Sequence, residues 1–132
     1  MSYVWQKTSA PAVNYTNIAS SLDGNVLVSG AGENNNANYI YTSTNRGRTW
    51  TQTSAPFTTW SSVACSSTGQ YLLACPGYNL GGNIYSSSNY GVTWTPRATN
   101  SYWGSAASDY TGQYLVVFNE AESKIYTSNN II

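Results

Sequence analysis

Short apolar runs alternate along the chain with clusters of Ser, Thr, Asn and Gly. Runs such as Tyr71-Leu72-Leu73-Ala74 are bounded by turn formers, which reads as strands joined by tight turns. The pattern repeats: Trp5, Trp50 and Trp94 open the same sequence of landmarks, 45 and then 44 residues apart. Turn glycines Gly24, Gly69 and Gly112 keep step, as do the pairs Ile40-Tyr41, Ile84-Tyr85 and Ile125-Tyr126. An aromatic column, Tyr15, Trp60 and Trp103, completes the set.

A period of this size belongs to propeller blades. The expectation is one all-β segment, 1–132, of three four-stranded antiparallel units at about 5–49, 50–93 and 94–132. Each unit has an innermost strand (Asn17 to Ser20, Ser62 to Cys65, Ser105 to Ser108), a turn, an apolar second strand and a third strand carrying the Ile-Tyr pair. The fourth, outer strand begins at the marker tryptophan: Trp5 to Thr8, Trp50 to Thr53 and Trp94 to Arg97. Pro96 suits such an edge position, where no ladder donor is needed.

Between the third and fourth strands, Ser43-Thr44-Asn45-Arg46-Gly47-Arg48-Thr49-Trp50 and Ser87-Ser88-Asn89-Tyr90-Gly91-Val92-Thr93-Trp94 share one pattern. They resemble the Asp-box, S-x-D-x-G-x-T-W, with Asn in the Asp position. Physically the motif staples a hairpin. The Asn side chain bonds turn backbone groups, Gly supplies a positive φ, and Trp plugs the space between strands. The chain is thus similar to the Asp-box propellers, which include sialidases, sortilin-type receptors, some xyloglucan hydrolases and photosystem assembly factors. The resemblance implies that Ser43, Asn45, Gly47, Trp50, Ser87, Asn89, Gly91 and Trp94 are structural and lie away from a catalytic face. Asn in place of Asp removes a carboxylate, which weakens any cation site at the box.

A third box opens at Ser128-Asn129-Asn130 without the Gly, Thr and Trp, while Trp5 stands near the N-terminus without a box before it. Propellers close with 4 to 8 blades, so three cannot seal a ring. The expectation is a homodimer of six blades, in which Trp5 of one copy completes the box begun by Ser128 and Asn130 of another; a trimer of nine is the competitor. Alternatively, the segment is a piece of a longer or engineered propeller.

Composition narrows the function. Lys plus Arg and Asp plus Glu number 5 each, so the net charge is zero, and His is absent. Lys7, Arg46, Arg48, Arg97 and Lys124 are too scattered to neutralise a run of phosphates, which argues against nucleic acid. No apolar stretch reaches the ~20 residues of a membrane helix, and MSYVWQKTSA lacks the parts of a signal peptide. Cys65 and Cys75 flank a hairpin but do not count out as direct opposites, which disfavours a disulfide.

The chemistry is sparse. Sialidases of the resembling family grip a carboxylate with clustered arginines and use a Tyr-Glu pair with an Asp acid/base; here two of three arginines share one turn. Glycoside hydrolysis wants facing carboxyl groups ~5 to 10 Å apart, and Asp23, Glu33, Asp109, Glu120 and Glu122 offer no evident pair. Without His, Ser-His-Asp and Cys-His arrangements are excluded. No catalytic residue, metal site or cofactor is expected. Tyr15, Trp60 and Trp103, just before the innermost strands, are candidate platforms for sugar rings or, more simply, interblade core. Segments Glu33 to Asn38 and Gly77 to Gly82 read as candidate recognition loops. The functions, in order, are a self-assembling structural or interaction scaffold, a multivalent glycan-binding lectin and a degenerate glycosidase.

Overall fold

The computed structural model describes residues 2–77, 80–98 and 100–129. Among the described residues eleven strands make an all-β structure: β1 (Tyr15–Ser20), β2 (Leu27–Glu33), β3 (Asn36–Ser43), β4 (Thr51–Gln52), β5 (Trp60–Cys65), β6 (Leu72–Pro76), β7 (Tyr85–Ser87), β8 (Thr95–Pro96), β9 (Trp103–Ser108), β10 (Tyr114–Asn119) and β11 (Lys124–Asn129). They form three antiparallel meanders: β1-β2-β3-β4, β5-β6-β7-β8 and the three-stranded β9-β10-β11. The innermost strands β1, β5 and β9 lie side by side.

Two face-to-face cores hold the sheets together. Val28 and Ile40 of the first sheet meet Trp60, Val63, Leu72 and Ala74 of the second. Leu73, Cys75 and Ile84 of the second meet Trp103, Leu115 and Val117 of the third. Successive strand residues point to opposite faces, so the central sheet, covered on both sides, needs the unbroken apolar run Leu72-Leu73-Ala74-Cys75. The third sheet is covered on one side only. Along β10, Leu115 and Val117 are buried while Tyr114, Val116 and Phe118 are exposed.

Several boundaries differ from the sequence-based expectation. The innermost strands begin two residues early, at Tyr15, Trp60 and Trp103, each through a register shift against the neighbouring strand. The shift leaves Thr16 and Ser61 outside the ladder. Their hydroxyls reach the next sheet instead: Thr16 Oγ1 donates to the Trp60 carbonyl, and Ser61 Oγ donates to the Gly104 carbonyl at 2.6 Å. Glu33 to Asn38 is no loop: Asn34 (φ 50°) and Asn35 (φ 68°) form a two-residue hairpin turn, a left-handed pair that Asn tolerates and that matches strand twist. Gly77 to Gly82 falls partly outside the described residues. The outer strands shrink to two residues, and residues 2–8 form no strand. Trp5 is 92% exposed rather than core, because within one chain no box-bearing strand lies beside it. Cys65 and Cys75 are free thiols; Cys75 pairs with Ser62 and Cys65 with Leu72 in the ladder.

Candidate functional site

The two complete Ser-x-Asn-x-Gly-x-Thr-Trp turns are built alike. In the first, Ser43 Oγ accepts from the Gly47 amide at 2.8 Å, Asn45 Oδ1 accepts from the Thr49 amide at 2.9 Å, and Trp50 Nε1 donates to the Gly47 carbonyl at 3.1 Å. In the second, the Gly91 amide donates to Ser87 Oγ at 2.9 Å, the Thr93 amide to Asn89 Oδ1 at 2.9 Å, and Trp94 Nε1 to the Gly91 carbonyl at 3.1 Å. An amide-bearing Asn suffices because its oxygen takes the backbone donor while Nδ2 reaches the Thr hydroxyl, at 2.7 Å from Asn45 and 2.8 Å from Asn89. Trp50 and Trp94 are half-buried. Of the third set, Ser128 is exposed on β11 and Asn130 lies outside the described residues.

The N-terminal segment meets the first of these turns in a telling way. Ser9 Oγ donates to the Arg48 carbonyl at 2.7 Å, just as Ser54 Oγ donates to the Val92 carbonyl at 3.1 Å in the second turn. The Thr8 and Thr53 methyls each lie 3.5 Å from where a Cβ on Gly47 or Gly91 would stand. Ala10 and Ala55 amides donate to Thr8 Oγ1 and Thr53 Oγ1 at 3.2 and 3.3 Å. Residues 8–10 therefore sit on the first sheet as residues 53–55, which follow β4, sit on the second. The signal was in the sequence: Thr-Ser-Ala-Pro stands at both 8–11 and 53–56.

The carboxylates serve turns. Asp23 accepts from the Asn25 amide at 2.9 Å and Ser21 Oγ at 2.8 Å, and these bonds hold its carboxyl below the ordinary carboxylate range. At Asp109 desolvation pushes upward, but hydrogen bonds from Thr111, Tyr114 and Gly112 outweigh it and its pKa is lowered too. Glu122 accepts the Tyr126 hydroxyl, a bond that raises the tyrosine's pKa. Arg46 Nε donates to Asn25 Oδ1 and Arg97 Nε to Ser86 Oγ, both at 2.7 Å, so these arginines serve different sheets. Among the described residues no group of three Cys, Asp or Glu could hold a metal ion.

One depression, of about 220 Å³, opens between the first two sheets, lined by Thr16, Gly32, Glu33, Thr59, Trp60 and Ser61, among others. Two buried polar atoms of its lining residues, Thr59 Oγ1 and Trp60 Nε1, have no hydrogen-bond partner.

No family model matches the sequence, and no curated protein matches it. Among solved structures, the chain is similar to the Niastella koreensis GH74 enzyme, with TM-score 0.66 and 21% identity, covering 88% of this chain and 16% of that one. It is similar to an ancestral GH74 enzyme, with TM-score 0.69 and 16% identity over 94% of this chain and 18% of that one. It also matches the Myceliophteria thermophila Cps50 (Swd1) β-propeller domain, with TM-score 0.68 and 10% identity over 93% of this chain and 38% of that one. Meandering sheets stacked face to face with their innermost strands adjacent settle the architecture.

The fold is a β-propeller.

The chain spans less than a fifth of the GH74 enzymes it matches. As blades, the three sheets explain the aromatic column. Each column residue packs on the Tyr of its own third strand: Tyr15 on Tyr41, Trp60 on Tyr85 and Trp103 on Tyr126, with ring centroids 5.9, 6.0 and 5.5 Å apart. Each also faces the preceding blade. Trp60 and Trp103 have a blade there and are buried, so neither presents a free ring to a sugar in this structure; Tyr15 has none and is 38% exposed. A flanking cavity of about 430 Å³ is lined by Thr8, Tyr15, Ile18, Ser29 and Trp50, among others.

Proposed function

We propose that the protein is a non-catalytic propeller scaffold that closes its ring by self-association, two copies supplying six blades. One observation carries the reading: residues 8–10 sit on blade 1 in the place that follows an outer strand, whereas β11, the third strand of blade 3, pairs only with β10 among the described residues. One copy offers the missing strand, and another offers the edge that lacks it. Unpaired edges of this kind invite pairing. The in-chain registers give the expected match. Tyr41 opposes Gln52 and Thr42 opposes Thr51, so Tyr126 would oppose Lys7 and Thr127 would oppose Gln6 of the second copy. Six blades fall within the usual range of propellers, and nine fall outside it.

Native mass spectrometry of the 132-residue chain, with oxidation of a Lys7→Cys, Tyr126→Cys double variant, tests this. Cross-strand neighbours stand ~4.5–5.5 Å apart, within disulfide reach; Cys75 is buried and the half-buried Cys65 is replaced by Ser in the test protein. A mass of two copies joined by an intermolecular bond is expected. Compact single copies in dilute solution would end the reading.

A second reading, glycan binding, is favoured by the depression beside Thr59 and Trp60. Its lining joins the acidic Glu33 to the hydroxyl-bearing Thr16, Thr59 and Ser61, a polar set that suits the hydroxyls of a sugar. Glycan-array binding that Glu33→Gln and Thr59→Val both weaken is the expected sign, and silence across the array would remove it.

A further inference from the structure

Both seams inside the chain use one set of contacts, and the chain's two outer faces carry the two halves of that same set. In the turn after each innermost strand, the Leu22 amide donates to the Ser67 carbonyl at 2.8 Å, and the Ser67 amide to the Tyr110 carbonyl at 2.7 Å. Leu22, Ser67 and Tyr110 are the same repeat position, and the two ends of the row are exposed. Two residues on in each turn stands the glycine. A Cβ on Gly69 would lie 2.4 Å from the Val26 side chain of blade 1, and one on Gly112 would lie 2.6 Å from Tyr71 of blade 2. A Cβ on Gly24 would meet nothing within 4 Å. The residue in the Val26 and Tyr71 position of blade 3 is Tyr114, which is 61% exposed.

The ring sizes across the seams match as well. Trp60 faces Gly30, whose Cβ would lie 2.8 Å from it. Trp103 shares its core with Cys75, the residue at the Gly30 position of blade 2. At the free faces the column residue is the smaller Tyr15, and the residue at that same position of blade 3 is the larger Phe118. A large ring meets a small partner inside the chain, and the two free faces carry a reduced ring and an enlarged residue.

Resting on the reading that copies associate, we infer that the blade 3 face of one copy packs on the blade 1 face of a second as a third seam of the same kind. Tyr114 covers the Gly24 turn, Phe118 lies against Tyr15, and the Tyr110 amide donates to the Leu22 carbonyl. The seam is head-to-tail, and a two-fold axis through the channel makes two of them.

The test exploits the empty space at Gly24. Asn adopts left-handed backbone and its side chain meets nothing in a single copy, so Gly24→Asn should leave circular dichroism unchanged while raising the dimer Kd by about thirtyfold or more, the scale of an interface hot spot. Tyr114→Asp, at an exposed position, should do the same. A wild-type dimer that neither Gly24→Asn nor Tyr114→Asp weakens would overturn this seam while leaving self-association intact. Single wild-type copies would instead defeat the reading beneath it.

Discussion

The isoleucine of the third strand occurs three times, and its environments separate the inner seams from the outer faces. Ile40 is 0% and Ile84 is 5% exposed, each pressed on by the following blade, while Ile125 is 75% exposed. The local chain is the same in all three: an Ile-Tyr pair with the tyrosine against the column ring. What differs is the neighbour. Burying such a side chain is worth ~1.5–3 kcal/mol, so an inner seam stabilises its blades and an outer face forgoes the same gain until something covers it.

Substitutions can break this contrast. The largest loss is expected at Trp60→Ala, about 3–5 kcal/mol in guanidinium unfolding, because the ring fills the first seam; a loss no larger than that of Tyr15→Ala would mean that the seam is not what holds the blades. Ile84→Ala should cost about 2–5 kcal/mol at any protein concentration. Ile125→Ala should act only where copies associate, as a change in how stability depends on concentration; equal, concentration-independent losses would erase the distinction. Asn89→Ala should cost about 0.5–1.5 kcal/mol by removing the bond to the exposed Thr93 amide, whereas Asn89→Asp, which keeps the acceptor, should cost far less.

The smallest effect concerns the thiols. Desolvation raises Cys65 from 9.0 to about 11 and Cys75 from 9.0 to about 12. Both are neutral at pH 8 in either state, so they leave stability unchanged there. As pH rises past 9 the unfolded chain ionises first, and stability falls until the folded thiols also titrate. Folded protein should react slowly with a thiol reagent at pH 8 and unfolded protein quickly; equal rates would place the thiols at the surface.

The repeat was legible because each blade needs the same strand pattern, turn glycine and stapled hairpin, and those residue types are distinctive. Trp60 and Trp103 were harder to place. A ring at the start of an innermost strand is core or platform according to whether a blade precedes it, which a single unit does not encode. Periodicity places the strand starts two residues late, because the register shift at Thr16 and Ser61 trades a ladder position for a hydroxyl that reaches the next blade, and periodicity sees only the ladder. The exposed state of Trp5 escaped for a related reason: the motif names its ring but not the strand it must lie beside. The depression beside Thr59 depends on the approach of two sheets, and no motif marks it.

The outer strands β4 and β8 are two residues long, whereas β1 and β5 are each tied sideways to the next innermost strand by a hydroxyl. Local opening follows how firmly backbone bonds are held, so amide protons at the rim should exchange with solvent long before those lining the channel. Loosening of this molecule would then begin at its circumference and travel inward, leaving the hub as the last part to open.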